Sequence, residues 1–490
     1  MSYEKLCGIH EEIALLSSTQ ATLSWDQETF LPAKAVPYRS KQLSYLATKI
    51  HQLSTSADYA DALKKAEDTA GDDVIVQANI REWRHDFERG SQLPETLVQR
   101  DTEACSAAMP FWKEARDTND FSLFAPKLTE LLEIAKEKAD RWGYEDEVYT
   151  ALLSNYERGA TTTHVSELFD TCSADLISMA KQATDRSAAT PCRPLTGVFS
   201  VGKQQELNRL VAQSIGFDFS RGRIDTTTHP FCSELAPEDV RLTTRYDETN
   251  FLSSLYGVMH EAGHGMYEQG LNADQYGRPA GKSVSLGIHE SQSRLWENHV
   301  GRSREFWEKW LPTAADIFPQ LSDWTVDEIF QHVNSAKYSM IRVDADDATY
   351  DLHILLRFRI ERMMINGEVA VKDIPELWNS LFEEYFGMKP ASDADGCLQD
   401  VHWSFGLFGY FCTYSLGNFN ASQLMHSAQQ HSDVQQGLDN ANYQPLLKWM
   451  QQNVHQQGSI LIPQDLMLQA TGSVTKPEHH LAHLKSRFLS

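Results

Sequence analysis

Asn250 to Glu268 reads NFLSSLYGVMHEAGHGMYE. Leu252, Leu255, Tyr256 and Met259 recur at three- and four-residue intervals, the stripe of an amphipathic helix. Four residues along a helix bring two side chains onto one face about 6 Å apart, so His260 and His264 point the same way. Two imidazoles so placed can hold one metal ion. Glu261 can reach a water beside that ion without taking a coordination position, which is where a general base belongs. The same helix carries Gly257, Gly263 and Gly265, each costing roughly 1 kcal/mol relative to alanine. Such crowding predicts close contact with another backbone or an early helix end.

A catalytic zinc ion needs a third protein ligand. Ser283 to His299, SVSLGIHESQSRLWENH, is predicted helical with Val284, Ile288 and Leu295 on its apolar side. It offers Glu290 and Glu297, either of which completes a His, His, Glu set with one open position. Spacing does not choose between them.

Outward from this centre the period stays helical. Leu43, Leu46, Ile50 and Leu53 form one stripe. After Pro126, the residues Leu128, Leu131, Leu132, Ala135, Ala139 and Trp142 form another, with Gly143 placed to cap it. Asp185 to Gly202, DRSAATPCRPLTGVFSVG, holds two prolines and two glycines and reads as a surface loop or internal boundary. Asp239 to Asp247, DVRLTTRYD, alternates Val240, Leu242 and Thr244 with polar neighbours, the two-residue period of a half-buried strand. Beyond His426 the chain is rich in Gln and His, yet Leu446, Leu447, Trp449 and Met450 predict ordered helix.

With 44 Lys and Arg against 68 Asp and Glu, the formal charge is -24, which disfavours nucleic acid and anionic lipid as partners. No run of about 18 apolar residues suggests a membrane span. The opening MSYEKLCGIHEEIALLSS places Glu4, Glu11 and Glu12 where a secretory signal needs a basic end and an apolar run. Seven cysteines, odd in number and never in a CxxC pair, fit reduced thiols and a cytoplasmic location.

Six ordered motifs carry a resemblance to a known family. They are HPF at His229 to Phe231, DVRLT at Asp239 to Thr243, HEAGH at His260 to His264, HESQ at His289 to Gln292, IRVDAD from Ile341, and GCLQDVHW from Gly396. WDQETFLPAKAVPYRSKQL from Trp25 adds an amino-terminal match. The chain resembles the carboxypeptidase Taq family of zinc metallocarboxypeptidases, peptidase family M32. The resemblance implies a mainly α fold: one large helical, saddle-shaped body with a deep groove and a small β-sheet next to the HExxH helix, zincin-like. It implies Glu290 as third ligand beside His260 and His264, Glu261 as catalytic acid-base, a homodimer, and release of single residues from peptide carboxyl termini. A single domain over residues 1–490 is expected, with a helical part at about 1–200, a metal and groove part at about 201–420, and closing helices at 421–490.

Carboxypeptidase chemistry needs a fixed cation for the substrate's free carboxylate. Arg342 is the candidate, with an ion pair to Asp344 or Asp346 as the alternative. His402, oriented by Asp400 or Gln399, and Tyr410, with Tyr414 beside it, are candidate donors to the oxyanion. Read as an edge, the DVRLT strand would add a peptide strand beside Arg241 and Thr243. His479 and His483 predict a solvated terminal helix. Zinc suits the ligand set, and cobalt or manganese can replace it. The rivals are an HExxH endopeptidase or dipeptidase, or a zinc-bound scaffold without turnover, against which an intact Glu261 counts.

Overall fold

Helix follows the apolar period along most of the chain, and in the computed structural model, which describes residues 2–490, 70% of the chain is helical. The Phe121–Trp142 helix shows how locally this is decided. The Asp120 side chain accepts from Ser122 N at 3.0 Å, Leu128, Leu131, Leu132, Ala135 and Ala139 are buried, and Gly143 ends the helix at φ +77°. It starts ahead of Pro126 because the Asp120 cap and buried Phe121 and Phe124 extend the face. The Leu43, Leu46, Ile50 and Leu53 stripe lies in the Val36–Ser54 helix and is half-buried. In the carboxyl-terminal part, Gln444–Asn453 is helical with Leu446, Leu447, Trp449 and Met450 buried.

One sheet of three strands is present: β1 (Gly222–Thr226), β2 (Cys232–Ala236) and β3 (Asp239–Thr244), in the order β1-β3-β2. β3 pairs parallel with β1, Ile224 opposite Leu242, and antiparallel with β2, Cys232 opposite Leu242. β3 is therefore the central strand. Its hydrogen-bonding groups are consumed on both sides, so the expected addition of a substrate strand beside Arg241 and Thr243 cannot occur there.

The chain forms two compact units, each assembled from three segments. The first comprises Met1–Gly90, Arg193–Phe330 and Ala421–Val474; the second comprises Ser91–Cys192, Gln331–Asn420 and Thr475–Ser490. Each unit draws on the early, middle and late thirds of the sequence. The crossing at Cys192 falls inside the proline- and glycine-containing segment, between helices ending at Ala189 and starting at Val201. The sheet and the Phe251–Gly270 helix belong to the first unit. In the second, the buried helix Tyr350–Asn366 runs through a core that includes Phe124, Phe169, Trp378 and Phe419.

The terminal helix, Glu478–Leu489, departs from the solvated expectation. His480 Nε2 lies 2.8 Å from Asp351 Oδ2 and His483 Nε2 lies 3.0 Å from Asp347 Oδ2, both within the second unit. One of those partners, Asp347, directly follows the IRVDAD motif. All seven cysteines are free. Among the described residues, no helix is long and apolar enough to cross a membrane.

Candidate active site

The candidate metal ligands sit where two helices of the first unit are pressed together. Phe251–Gly270 is capped by Asn250, whose Oδ1 accepts from Leu252 N at 3.2 Å. It continues six residues past His264, so its glycines do not mark an early end. They serve contact. A Cβ on Gly263 would lie 2.6 Å from Gln292 O and 2.6 Å from Ser293 Cα, in the neighbouring Leu286–Arg294 helix. A Cβ on Gly265 would lie 2.8 Å from Leu242 of β3. Gly257 is looser, with Thr244 Oγ1 at 3.5 Å.

This contact carries Glu290 to the histidines. Glu290 Oε2 is 3.5 Å from His264 Nε2 and 3.8 Å from His260 Nε2. Donor atoms of His260, His264 and Glu290 all lie within 4.8 Å of one another. Ligands about 2.1 Å from a tetrahedral zinc ion stand about 3.4 Å apart, so the three residues fit one such ion and leave a position open. Glu297 plays another part: its Oε2 lies 2.9 Å from His260 Nδ1, on the far side of the ring.

Electrostatics separate the carboxylates. Burial pushes Glu261 up to about 7, with Glu290 and Glu297 adding to it and His260 and His289 opposing. Glu290 is also buried, but Arg294, His260 and His264 hold it well below the usual carboxylate range. Arg294 Nε donates to Glu290 Oε1 at 2.7 Å. Burial and the neighbouring His289 take His264 down to about 3, leaving a neutral imidazole able to ligate. Its ring stacks on His289 at 4.4 Å, and His289 Nε2 lies 2.7 Å from Glu268 Oε1.

Other expected site residues lie in the second unit. Arg342, 5% exposed, pairs with Asp400, not with Asp344 or Asp346. Its Nε and Nη2 lie 3.1 and 2.8 Å from Asp400 Oδ1, and Nη1 donates to Tyr350 OH at 2.9 Å. Arg357 takes the other Asp400 oxygen through Nε at 2.7 Å. Two guanidinium groups thus share one carboxylate. Gln399 accepts from Arg342 N at 2.8 Å.

His402 is oriented differently from expectation. Asp400 Oδ1 is 3.9 Å from its Nδ1, too far for a hydrogen bond, and Gln399 is engaged elsewhere. Tyr414 OH lies 3.3 Å from Nε2, and the ring packs on Phe411 at 4.5 Å and Tyr410 at 5.2 Å. Burial brings His402 down to about 4, so it is neutral at pH 7. Tyr410 also meets Tyr156 at 5.2 Å. Thr243 is fully buried, its hydroxyl accepting from Phe231 N at 2.8 Å and donating to Phe231 O at 3.0 Å. It holds the HPF segment in place. Arg241 pairs with Asp239 at 2.6 Å and lies over Trp25 at 4.3 Å.

Sequence reasoning missed Arg357 and Glu361. Glu361 is buried, accepts from Tyr149 OH at 2.7 Å, Trp403 Nε1 at 2.8 Å and Gly409 N at 3.1 Å, and so fixes the loop bearing His402 and Tyr410. A signal existed: His353, Arg357 and Glu361 recur every four residues, on one face of a helix whose intervening positions include Ile354, Leu355, Leu356, Phe358 and Ile360.

The family model described as "Carboxypeptidase Taq (M32) metallopeptidase" matches residues 5–488. The chain is 37% identical over 510 residues to thermostable carboxypeptidase 1 of Thermus thermophilus, covering 99% of this chain and 98% of that protein. It is 34% identical to carboxypeptidase 1 of Bacillus subtilis, covering 99% and 98%. Among solved structures, the M32 carboxypeptidase of Deinococcus radiodurans is similar with a TM-score of 0.96 at 35% identity, covering 99% of this chain and 98% of that one.

Proposed function

The chain belongs to the carboxypeptidase Taq (M32) family of metallopeptidases, and from that premise we propose that it is a zinc carboxypeptidase releasing single amino acids from the free carboxyl terminus of peptides, with broad specificity. The observation that carries this reading is the convergence of His260, His264 and Glu290 donor atoms within 4.8 Å of one another, next to a Glu261 held at about 7. Bound there, zinc polarises the scissile carbonyl and acidifies water. Glu261 takes the proton of the attacking water and delivers it to the departing amine; a carboxylate poised near neutral pH suits both transfers. Arg342, backed by Arg357, receives the terminal carboxylate, since the pair carries one positive charge beyond what Asp400 balances. His402 and Tyr410 donate to the developing oxyanion. Arg241 and Thr243 act through the geometry of β3 and the HPF segment rather than by strand addition.

Cobalt or manganese can occupy the same ligands. The free cysteines support a cytoplasmic enzyme. A homodimer follows from the family resemblance, and Leu15, Phe30, Tyr38 and Tyr45, all more than half exposed, are apolar surface that a second copy could cover. Sedimentation reads the dimer.

The enzyme is tested with a short peptide blocked at its amino terminus, alongside its carboxyl-amidated twin. Single residues should appear from the free carboxyl end alone and vanish with a chelator. Equal cleavage of the amidated peptide would point to an endopeptidase, and no cleavage with zinc or cobalt supplied would point to a scaffold.

A further inference from the structure

The two histidines of the metal centre are supported unequally. His264 Nδ1 is buried without a hydrogen-bond partner, and its ring is held by stacking on His289 at 4.4 Å. His260 instead has a carboxylate on each side: Glu290 Oε2 is 3.8 Å from Nε2, and Glu297 Oε2 is 2.9 Å from Nδ1. Only the second distance is a hydrogen bond.

Glu297 is built to stay in place. Arg302 Nη2 lies 3.2 Å from its Oε1 and Arg294 Nη1 lies 3.8 Å from its Oε2. Arg302 is fixed in turn by Asn298 at 3.1 Å and by stacking over Tyr256 at 4.0 Å. Glu297 also lies on a π-helical turn, Leu295–Val300, that follows directly on the helix bearing Glu290. A π turn holds more residues than an α turn and rotates Glu297 off the register a continuous helix would impose; such turns are uncommon and concentrate at functional sites.

We propose that Glu297 is the positioning residue of His260: by accepting from Nδ1–H it fixes the ring's tautomer and aims the Nε2 lone pair at the point shared with His264 and Glu290. This inference rests on the metal-centre reading above. An ionised carboxylate offers only acceptor sites, so a ring nitrogen 2.9 Å away must carry the proton. Outer carboxylates of this kind raise the basicity of the ligating nitrogen and stop the ring from turning, and their loss weakens metal binding about 10- to 100-fold.

The test is a zinc titration of chelator-stripped enzyme against a chromophoric competitor, with wild type, Glu297→Ala, Glu297→Gln and His260→Ala. Glu297→Ala should bind zinc about 10- to 100-fold more weakly. Glu297→Gln keeps an acceptor without the charge and should fall between. The visible spectrum of the cobalt-loaded Ala variant should change, and histidine nitrogen NMR of the stripped protein should show His260 losing its Nδ1–H form. A purely structural role would lower the melting temperature and move neither of those signals. If Glu297→Ala does not fold, the Gln variant carries the titration. Wild-type zinc affinity and an unchanged cobalt spectrum in the folded variants, with His260→Ala deficient, would overturn the role of Glu297 alone. Equal zinc binding by wild type and His260→Ala would overturn the metal centre and this inference together.

Discussion

Two buried polar regions of this molecule are built on opposite charges: carboxylates gather in one and guanidinium groups in the other. Around His260 in the first unit, Glu261, Glu290 and Glu297 gather with Arg294, Arg302 and the His260 ring itself, which against its burial the neighbouring carboxylates raise to about 9, as counter-charges. In the second unit, Arg342 and Arg357 share the single carboxylate of Asp400. Compare Asp351, whose carboxylate lies 2.8 Å from His480 Nε2 and also accepts from the neutral donors Ser415 Oγ and Asn418 Nδ2, where Asp400 meets two guanidinium groups. Burying charge without a partner costs several kcal/mol, so the guanidinium left over beside Asp400 in the second unit suits an anionic ligand. The proposed carboxypeptidase would use the first region to hold its metal ion and the second to receive the substrate's carboxylate.

The sharpest way to break this comparison is Glu261→Gln. It should leave zinc content unchanged while kcat falls about 10²- to 10⁴-fold; retained turnover would remove Glu261 as the base. Arg342→Lys preserves charge but loses the guanidinium fork. kcat/KM should drop roughly 10- to 100-fold on free-carboxyl peptides, through KM, and an equal drop on an amidated substrate would deny the anchor role.

Two glycines of one helix give a smaller, paired effect. Gly263→Ala drives a methyl into the backbone of Gln292 and Ser293, both 2.6 Å away, and should cost about 1 to 3 kcal/mol along with zinc affinity. Gly257→Ala meets only Thr244 Oγ1 at 3.5 Å and should gain up to about 1 kcal/mol from helix propensity. Similar melting shifts for the two would contradict the close helix contact.

A gradual effect, spread over more than two pH units, is a stability slope from Glu361. Burial raises it to about 7, although Tyr149, Trp403 and Gly409 all donate to it. Between the unfolded value near 4.5 and about 7 the folded state keeps a proton that the unfolded chain has released. Stability from this group therefore falls as pH rises through that window, by no more than about 1.4 kcal/mol per pH unit, and is flat above it. Denaturant curves at several pH values should show the slope, and Glu361→Gln should remove it; an unchanged slope in the variant would place its origin elsewhere.

The legible part of the site was the part made by short spacing. His260, Glu261 and His264 lie within five consecutive residues, and helix geometry alone puts the imidazoles on one face. β3 was legible as a strand for the same reason, from its two-residue alternation. Its position in the sheet was not, because strand order depends on partners, and β1 lies before β2 in the chain yet pairs beyond it. Arg342 was sought near Asp344 and Asp346, while its partner Asp400 is 58 residues away. His483 belonged to an expected solvated helix, but its Nε2 lies 3.0 Å from Asp347 Oδ2 and the contact is partly buried.

By itself the sequence determined the helical period, the shared face of His260 and His264 on Phe251–Gly270 and the excess of acid over base, since each follows from neighbours along the chain. The family resemblance implied Glu290 as the ligand, but the physical reason that one glutamate faces Nε2 of His260 and the other faces Nδ1 lies in the tertiary structure. From spacing, Glu290 and Glu297 were equivalent candidates. The approach of two helices at Gly263 and the π turn after Arg294 placed one carboxylate at Nε2 and the other at Nδ1, and distances between helices are set by packing, which no local pattern encodes.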